Sequence, residues 1–282
     1  MKAQVLISVA KKEIMDNIRN KWVIILSVIF ALLTIVASYF GSLFSSGWQD
    51  LGLTIASMSS LVQFLISIIA LMLGYAAVIG EIERGSMSSL VSLPATRLEI
   101  LAGKFLGLGV VLSLTIGVGF GVAGVVIAVL VPNVNYGEYL GFIGLTVLFG
   151  LVFLSLALFF STLFKKRSSA MGGAVLMWFF FNMILPMVFT GLLIAAVGLE
   201  NLFSGDVSSA PAWYYGVQLL SPVAMYGAVV GMMAGPVASV TQQAVPMRYP
   251  SFYSPIVLVG VMVLWIVVFF LLAYVKFNKT DI

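Results

Sequence analysis

Six apolar runs decide what this chain can become. Residues 22–43, 54–80, 105–131, 139–164, 170–198 and 256–275 contain no charged residue. A bilayer's hydrocarbon core is ~30 Å thick and takes about 20 helical residues to cross, so each run is long enough. Lipid supplies no hydrogen bonds to a backbone, which leaves helices or a closed barrel as spanning structures. Barrel strands would alternate in polarity over about ten residues, whereas these runs are apolar throughout. The expected class is an all-α membrane protein with six transmembrane helices. Only 9% of residues are charged, against about a quarter in ordinary soluble domains.

The basic residues orient the runs. Lys2, Lys11, Lys12, Arg19 and Lys21 precede the first; Arg84, Arg97 and Lys104 lie between the second and third. Lys165, Lys166 and Arg167 follow the fourth, and Lys276 and Lys279 follow the sixth. With the first segment inside, 13 of the 14 basic residues fall on cytoplasmic segments, and only Arg248 is outside. This bias predicts both termini in the cytoplasm, and it accounts for the net charge of +4 without a nucleic-acid partner.

Residues 1–21 read as an amphipathic interfacial helix preceding a six-span domain over 22–282. Ala3, Ile7, Ala10, Ile14 and Ile18 form its stripe, with Lys11, Lys12, Asp16 and Arg19 off it. Charges continue to Lys21, unlike a cleavable signal, whose charges precede its apolar core. Such a helix suits the inner leaflet or a partner on that side.

The long charged interruption is residues 80–107, GEIERGSMSSLVSLPATRLEILAGKFLG. Met87, Leu90 and Val91 have the spacing of a short amphipathic helix. Pro94 cannot continue it, lacking an N–H. Thr96-Arg97-Leu98-Glu99 then reads as a capping box that starts the next long helix.

The order of residues here resembles the coupling segment of ABC-2-type transporter permeases. In those, a Glu closes the second membrane helix and a Gly follows four residues on. A Leu-rich turn, Pro-x-x-Arg and Ile-Leu-x-Gly-Lys come next. Glu81, Gly85, Leu90, Pro94, Arg97, Ile100, Leu101, Gly103 and Lys104 fill those places, and the layout of the whole chain is similar. Within the family, KKEIMDNIRNKW at 11–22, KRSSA at 166–170 and SPVAMY at 221–226 resemble the permease of the transporter that matures nitrous oxide reductase with copper or sulfur. The resemblance implies a permease homodimer in the inner membrane of a prokaryote, served by two ABC ATPase subunits. ATP and Mg would bind those subunits, with no cofactor in this chain, and an extracytoplasmic accessory protein would be a further partner. It makes residues 80–104 the coupling segment: Met87, Leu90 and Val91 as an apolar anchor, Glu81, Glu83 and Arg84 as a charged shoulder, Gly85 as a motif position and Pro94 as the turn. Arg97 and Glu99 would set the angle of the following helix, and Lys104 completes the motif.

Several absences narrow the function. No G-x-x-x-x-G-K-[ST] occurs: Phe105 follows Gly103-Lys104, and Leu98 stands where the first Gly belongs. The chain has no Cys and no His, which removes thiol nucleophiles, the commonest metal ligand and the commonest general base. No carboxylate lies within a run to couple transport to an ion. Gly119 to Gly124 matches G-x-G-x-x-G, but inside a membrane run the dinucleotide reading fails for want of a βαβ context. Gly117 and Gly121 instead suggest a small face for a close helix neighbour.

Gln63 and Asn182 are the conspicuous polar residues within runs. Each suits an interhelical hydrogen bond or a pathway position. Pro186, four residues after Asn182, predicts a kink or break. Residues 199–255 form the external segment, where Trp213, Tyr214 and Tyr215 suggest an interface belt. Residues 217–234 are apolar but hold Pro222, Gly227 and Gly231. A seventh crossing would place Lys276 and Lys279 outside, so this stretch reads as re-entrant or interfacial. A passive permease subunit driven by a separate ATPase fits all of this. A membrane enzyme would need a reactive cluster and a channel a ring of carbonyls or charges; neither is visible.

Overall fold

The computed structural model describes residues 3–44, 51–87, 95–130, 136–200, 210–233 and 249–280. Among these no strand occurs. The helices are α1 (Ala3–Ile18), α2 (Lys21–Phe44), α3 (Leu51–Gly74), α4 (Ile79–Glu83), α5 (Arg97–Leu130), α6 (Tyr136–Leu163), α7 (Arg167–Phe179), α8 (Leu185–Val197), α9 (Ala212–Gln218), α10 (Pro222–Met233) and α11 (Pro255–Asn278). Five helical stretches are long and apolar enough to cross a membrane: Met58–Glu83, Arg97–Val125, Tyr136–Leu163, Arg167–Val197 and Pro255–Asn278. The first expected crossing falls on α2, a helix of 24 residues. The protein is an all-α, multi-pass membrane protein.

The bundle is built around α6, which packs against α3, α5, α10 and α11. Phe142, Phe149 and Phe153 of α6 are fully buried. Lipid is as apolar as these side chains, so fit rather than water exclusion holds the helices together. The fit depends on small residues: a Cβ on Gly74 would stand 2.6 Å from that of Ala157, and one on Gly150 would stand 2.8 Å from Leu112. Aromatic edges fill the larger gaps, with Phe153 against Phe181 and Phe181 against Trp265 at 5.9 and 5.7 Å.

Two spans are irregular, and both find partners for the backbone groups this frees. The second breaks between Gly74 and Ile79. There the buried Ser161 hydroxyl accepts the N–H groups of Val78 and Ile79, at 2.9 and 3.1 Å. The fifth was expected to kink or break near Pro186. It stays one span, Arg167–Val197, but its α-helical pattern is interrupted by a π-helical turn, Phe180–Ile184, where the Leu185 N–H reaches back to the Phe180 carbonyl. One widened turn absorbs the proline's missing donor, as π-bulges do.

Residues 217–234 were left open between re-entrant and flat. The helices α9 and α10 meet at an angle of 117°. At its far end α10 brings Met233 against Gly141, near the start of α6. Deeper, Tyr226 is fully buried and its hydroxyl lies 3.0 Å from Thr146 Oγ1. Its ring packs on Phe149, midway along α6. The pair is therefore re-entrant, entering and leaving at the end of the bundle where Tyr214, Tyr215, Tyr249 and Tyr253 cluster. The other end is the charged one. There α1, the α4 turn, the start of α5, the start of α7 and the last turn of α11 meet.

Candidate functional site

At the charged end, Gly85 ends α4 with φ +72°. Its N–H bonds to the Ile82 carbonyl at 3.0 Å. That left-handed conformation is strained for residues with a Cβ, which is why a glycine stops the helix here. Glu83, Arg84 and Ser86 project from this turn as exposed residues. Met87 then turns inward and is fully buried with Val78, Leu101, Leu158, Ala273 and Phe277. The expected anchor is corrected at this residue: Met87 packs inside its own chain and cannot also fill a partner's groove. Leu90, Val91 and Pro94 lie outside the described residues.

The next helix starts as its sequence predicts. Glu99 Oε2 accepts the Thr96 N–H at 2.9 Å, and Thr96 Oγ1 accepts the Glu99 N–H at 3.2 Å. Arg97 leaves this cap sideways. Its Nη1 donates to the carbonyls of Phe277, Asn278 and Thr280 at 2.6, 3.1 and 2.7 Å, and the guanidinium lies over the Phe277 ring. Helices end with unpaired carbonyls and partial negative charge, so a cation there is doubly favoured. One arginine thus joins the start of α5 to the end of α11.

The centre of the site is an ion cluster that joins three segments distant in sequence. Lys104, two turns into α5, is fully buried. Its Nζ stands 2.6 Å from Glu13 Oε1 on α1 and 2.7 Å from Glu81 Oε2 on α4. The second contact lacks the alignment of a hydrogen bond, so its attraction is ionic. Lys12 Nζ closes the cluster at 2.6 Å from Glu81 Oε1. Burial would lower the Lys12 pKa, but its bond to Glu81 and that group's charge outweigh it and hold the pKa above the ordinary lysine value. Two ammonium and two carboxylate groups balance, so the cluster can sit under cover without net charge.

The close seat of α1 makes the cluster possible. A Cβ on Gly103 would meet Val9 at 2.8 Å, and one on Gly107 would meet the Ala10 carbonyl at 2.6 Å and Glu13 Cβ at 2.7 Å. These glycines, four apart, let the α1 backbone lie against α5. The face that α1 buries is accordingly centred on Val9 and Glu13, while Ile7 and Ile18 of the expected stripe are exposed. Gly117 and Gly121, predicted as the close-packing pair, meet nothing within 4 Å in this chain.

Other residues support the same end. Glu83 Oε1 accepts the Arg167 N–H at 2.7 Å, which satisfies one of the unpaired donors that begin α7. Arg167 Nη2 donates to the Tyr75 hydroxyl at 3.1 Å and the guanidinium covers that ring. The pathway candidates do not join this group. Asn182 Nδ2 donates to Ser67 Oγ at 3.3 Å and to the Trp178 carbonyl at 3.1 Å, an interhelical bond with α3. Gln63 lies against Gly227 of the re-entrant α10, and Pro186 follows the π-helical turn. Sequence reasoning missed Lys12, Glu13 and Ser161 as members of the structure. The one available signal was Gly103-x-x-x-Gly107 enclosing a lysine. Among the described residues, no three acidic, His or Cys side chains stand close enough to hold a metal ion.

Residues 7–282 match the ABC-2 family transporter proteins. The chain is 39% identical over 197 residues to the probable ABC transporter permease protein NosY of Pseudomonas aeruginosa, covering 68% of this chain and 72% of that protein. It is 38% identical over 200 residues to the protein of the same description from Stutzerimonas stutzeri, covering 69% and 72%. A multi-pass helical bundle, Glu81, Gly85, Arg97 and Lys104 gathered at one end of it, and a match over nearly the whole length agree, and the chain belongs to the ABC-2 family of transporter proteins as a membrane permease subunit.

Proposed function

We propose that this chain is the non-catalytic membrane half of an ATP-driven transporter, and that residues 80–104 receive the movement of a separate ATPase. Two copies would pair with two ATPase subunits, which bind ATP and Mg. The charged end would face the cytoplasm from the inner membrane, with the tyrosine-rich end outside. The ion cluster carries this reading. A push on the exposed turn at Glu83, Arg84 and Gly85 acts next to Glu81, and Glu81 is tied through Lys104 to α5 and α1. Arg97 and Glu83 extend the connection to α11 and α7. With Met87 buried, the docking anchor is Leu90 with Val91. A role in metalloenzyme maturation with copper or sulfur, with an extracytoplasmic accessory protein, rests on the motif resemblance at 11–22, 166–170 and 221–226.

The test is Leu90→Asp. In a dry protein groove it would leave an unpaired carboxylate, costing several kcal/mol. The variant should insert normally yet lose co-purification of the ATPase and stimulation of ATP hydrolysis. Retention of both at wild-type level would defeat the coupling assignment.

A further inference from the structure

A cavity of ≈ 440 Å³ opens at the charged end between α1, the broken second span and α7. Its lining divides by chemistry. Its polar part holds the carboxylates of Glu13, Asp16 and Glu81, the guanidiniums of Arg84 and Arg167, and the amides of Asn17 and Asn20, while its apolar part includes Met72, Leu73 and Met171. The cluster described above already neutralises Glu81. Asp16 and Arg84 differ: among the described residues neither side chain has a hydrogen bond or ion pair, and Asp16 has only the longer-range charge of Lys12 on its own helix. Two unpaired charges of opposite sign therefore face one cavity without meeting across it. Arg167, over the Tyr75 ring, adds a second guanidinium.

Met72, Tyr75 and Met171 also border a second, shallow apolar depression of ≈ 20 Å³ on the seam of α3 and α7, with Ile68, Val175 and Trp178 further along it. A two-sign polar chamber beside an apolar surface depression on the outside of a membrane span suits a charged headgroup with an acyl chain lying over that surface. We propose that this cavity binds a phospholipid whose headgroup carries both a phosphodiester and a primary amine, the ethanolamine class. The phosphodiester lies between Arg84 and Arg167, since guanidinium forks match phosphate oxygens. The ammonium faces Asp16, and one acyl chain lies over the depression toward Trp178. An anionic lipid without an amine answers the arginines but leaves the Asp16 carboxylate beside a second negative charge. The committed occupant is therefore the amine-bearing lipid.

Trp178 is a built-in reporter, held by its Nε1 donating to the Phe64 carbonyl at 3.1 Å and by its edge contact with Phe64. The full chain is placed in phosphatidylcholine nanodiscs that contain a minor fraction of lipid with brominated acyl chains. The lipid carries either an ethanolamine or a glycerol headgroup. Quenching specific to Trp178 is the difference between wild type and Trp178→Phe. The ethanolamine lipid should quench with at least about threefold higher apparent affinity. Asp16→Asn should erase that preference, and Arg84→Gln should weaken both lipids. A parallel measurement, identifying by mass the lipid retained through delipidating detergent, should find the ethanolamine class in wild type and not in Asp16→Asn. Equal quenching by the two headgroups would overturn the proposal, as would a preference that survives Asp16→Asn. Trp178 quenching no stronger than that from bulk lipid, as a second protein covering the depression would produce, would also overturn it. None of these readouts depends on ATPase docking.

Discussion

Removing the Lys104 charge tests whether the ion cluster is a structural joint. At 2.6 and 2.7 Å, each contact of Nζ with a carboxylate oxygen is worth about 6 kcal/mol at an effective dielectric of about 20. Desolvation of several kcal/mol per ion offsets much of that. The Lys104 side chain is only 1% exposed and that of Glu13 8%, so little water can replace a lost partner. Lys104→Met keeps the length of the side chain and deletes the cation. Glu81 retains Lys12, but Glu13 is left buried with only the more distant Lys12 charge in place of its hydrogen-bonded partner, which should cost up to about 3–5 kcal/mol. Glu13→Gln alone should cost less, about 1–2 kcal/mol, because its amide oxygen can still accept from Lys104. The double variant should then be more stable than Lys104→Met, since the second change removes the stranded carboxylate. Unfolding in mixed micelles with increasing SDS measures all four proteins. A double variant less stable than Lys104→Met, with costs that simply add, would refute the joint.

The glycine pairs make opposite predictions. Gly107→Ala should push α1 away and destabilise the chain, because its Cβ meets backbone at 2.6 Å, whereas Gly121→Ala meets nothing and should be neutral or gain about 0.5–1 kcal/mol of helix preference; equal effects in unfolding would contradict the seat of α1. Arg97→Gln should speed amide hydrogen exchange over the last turn of α11, by about 1.5–3 kcal/mol of lost charged hydrogen bonding; unchanged exchange at 276–280 would show that the carbonyls need no arginine. A cysteine at Ser168 should be shielded from an impermeant thiol reagent in intact cells and one at Ser208 should react; the reverse pattern would invert the orientation read from the basic residues.

Local signals were legible in the sequence and remote pairings were not. The capping box at Thr96 and Glu99, and the interruption of 217–234 marked by Pro222, each depend on a few adjacent residues. Sequence spacing reports such features directly. Glu13 and Lys104 are 91 residues apart, and each reads alone as an ordinary solvated charge. Met87 misled for a related reason. Its spacing shows that a face is apolar, but not that α11 supplies Phe277 to cover it. At Pro186 the missing N–H was legible, but a break and a π-helical turn both accommodate it. The neighbouring helix, through Ser67 and Asn182, is invisible to local reasoning.

The seat of α1 also carries a consequence for biogenesis. Glu13 is made well before Lys104, and at about 5–20 residues per second the ribosome needs roughly 5–18 s to reach the lysine. Throughout that interval α1 has neither its glycine groove nor its counter-ion. Exposed Ile7, Met15 and Ile18 can hold it on the lipid surface, but its carboxylate must stay in water. Docking of α1 is therefore a late event that reports insertion of the third span.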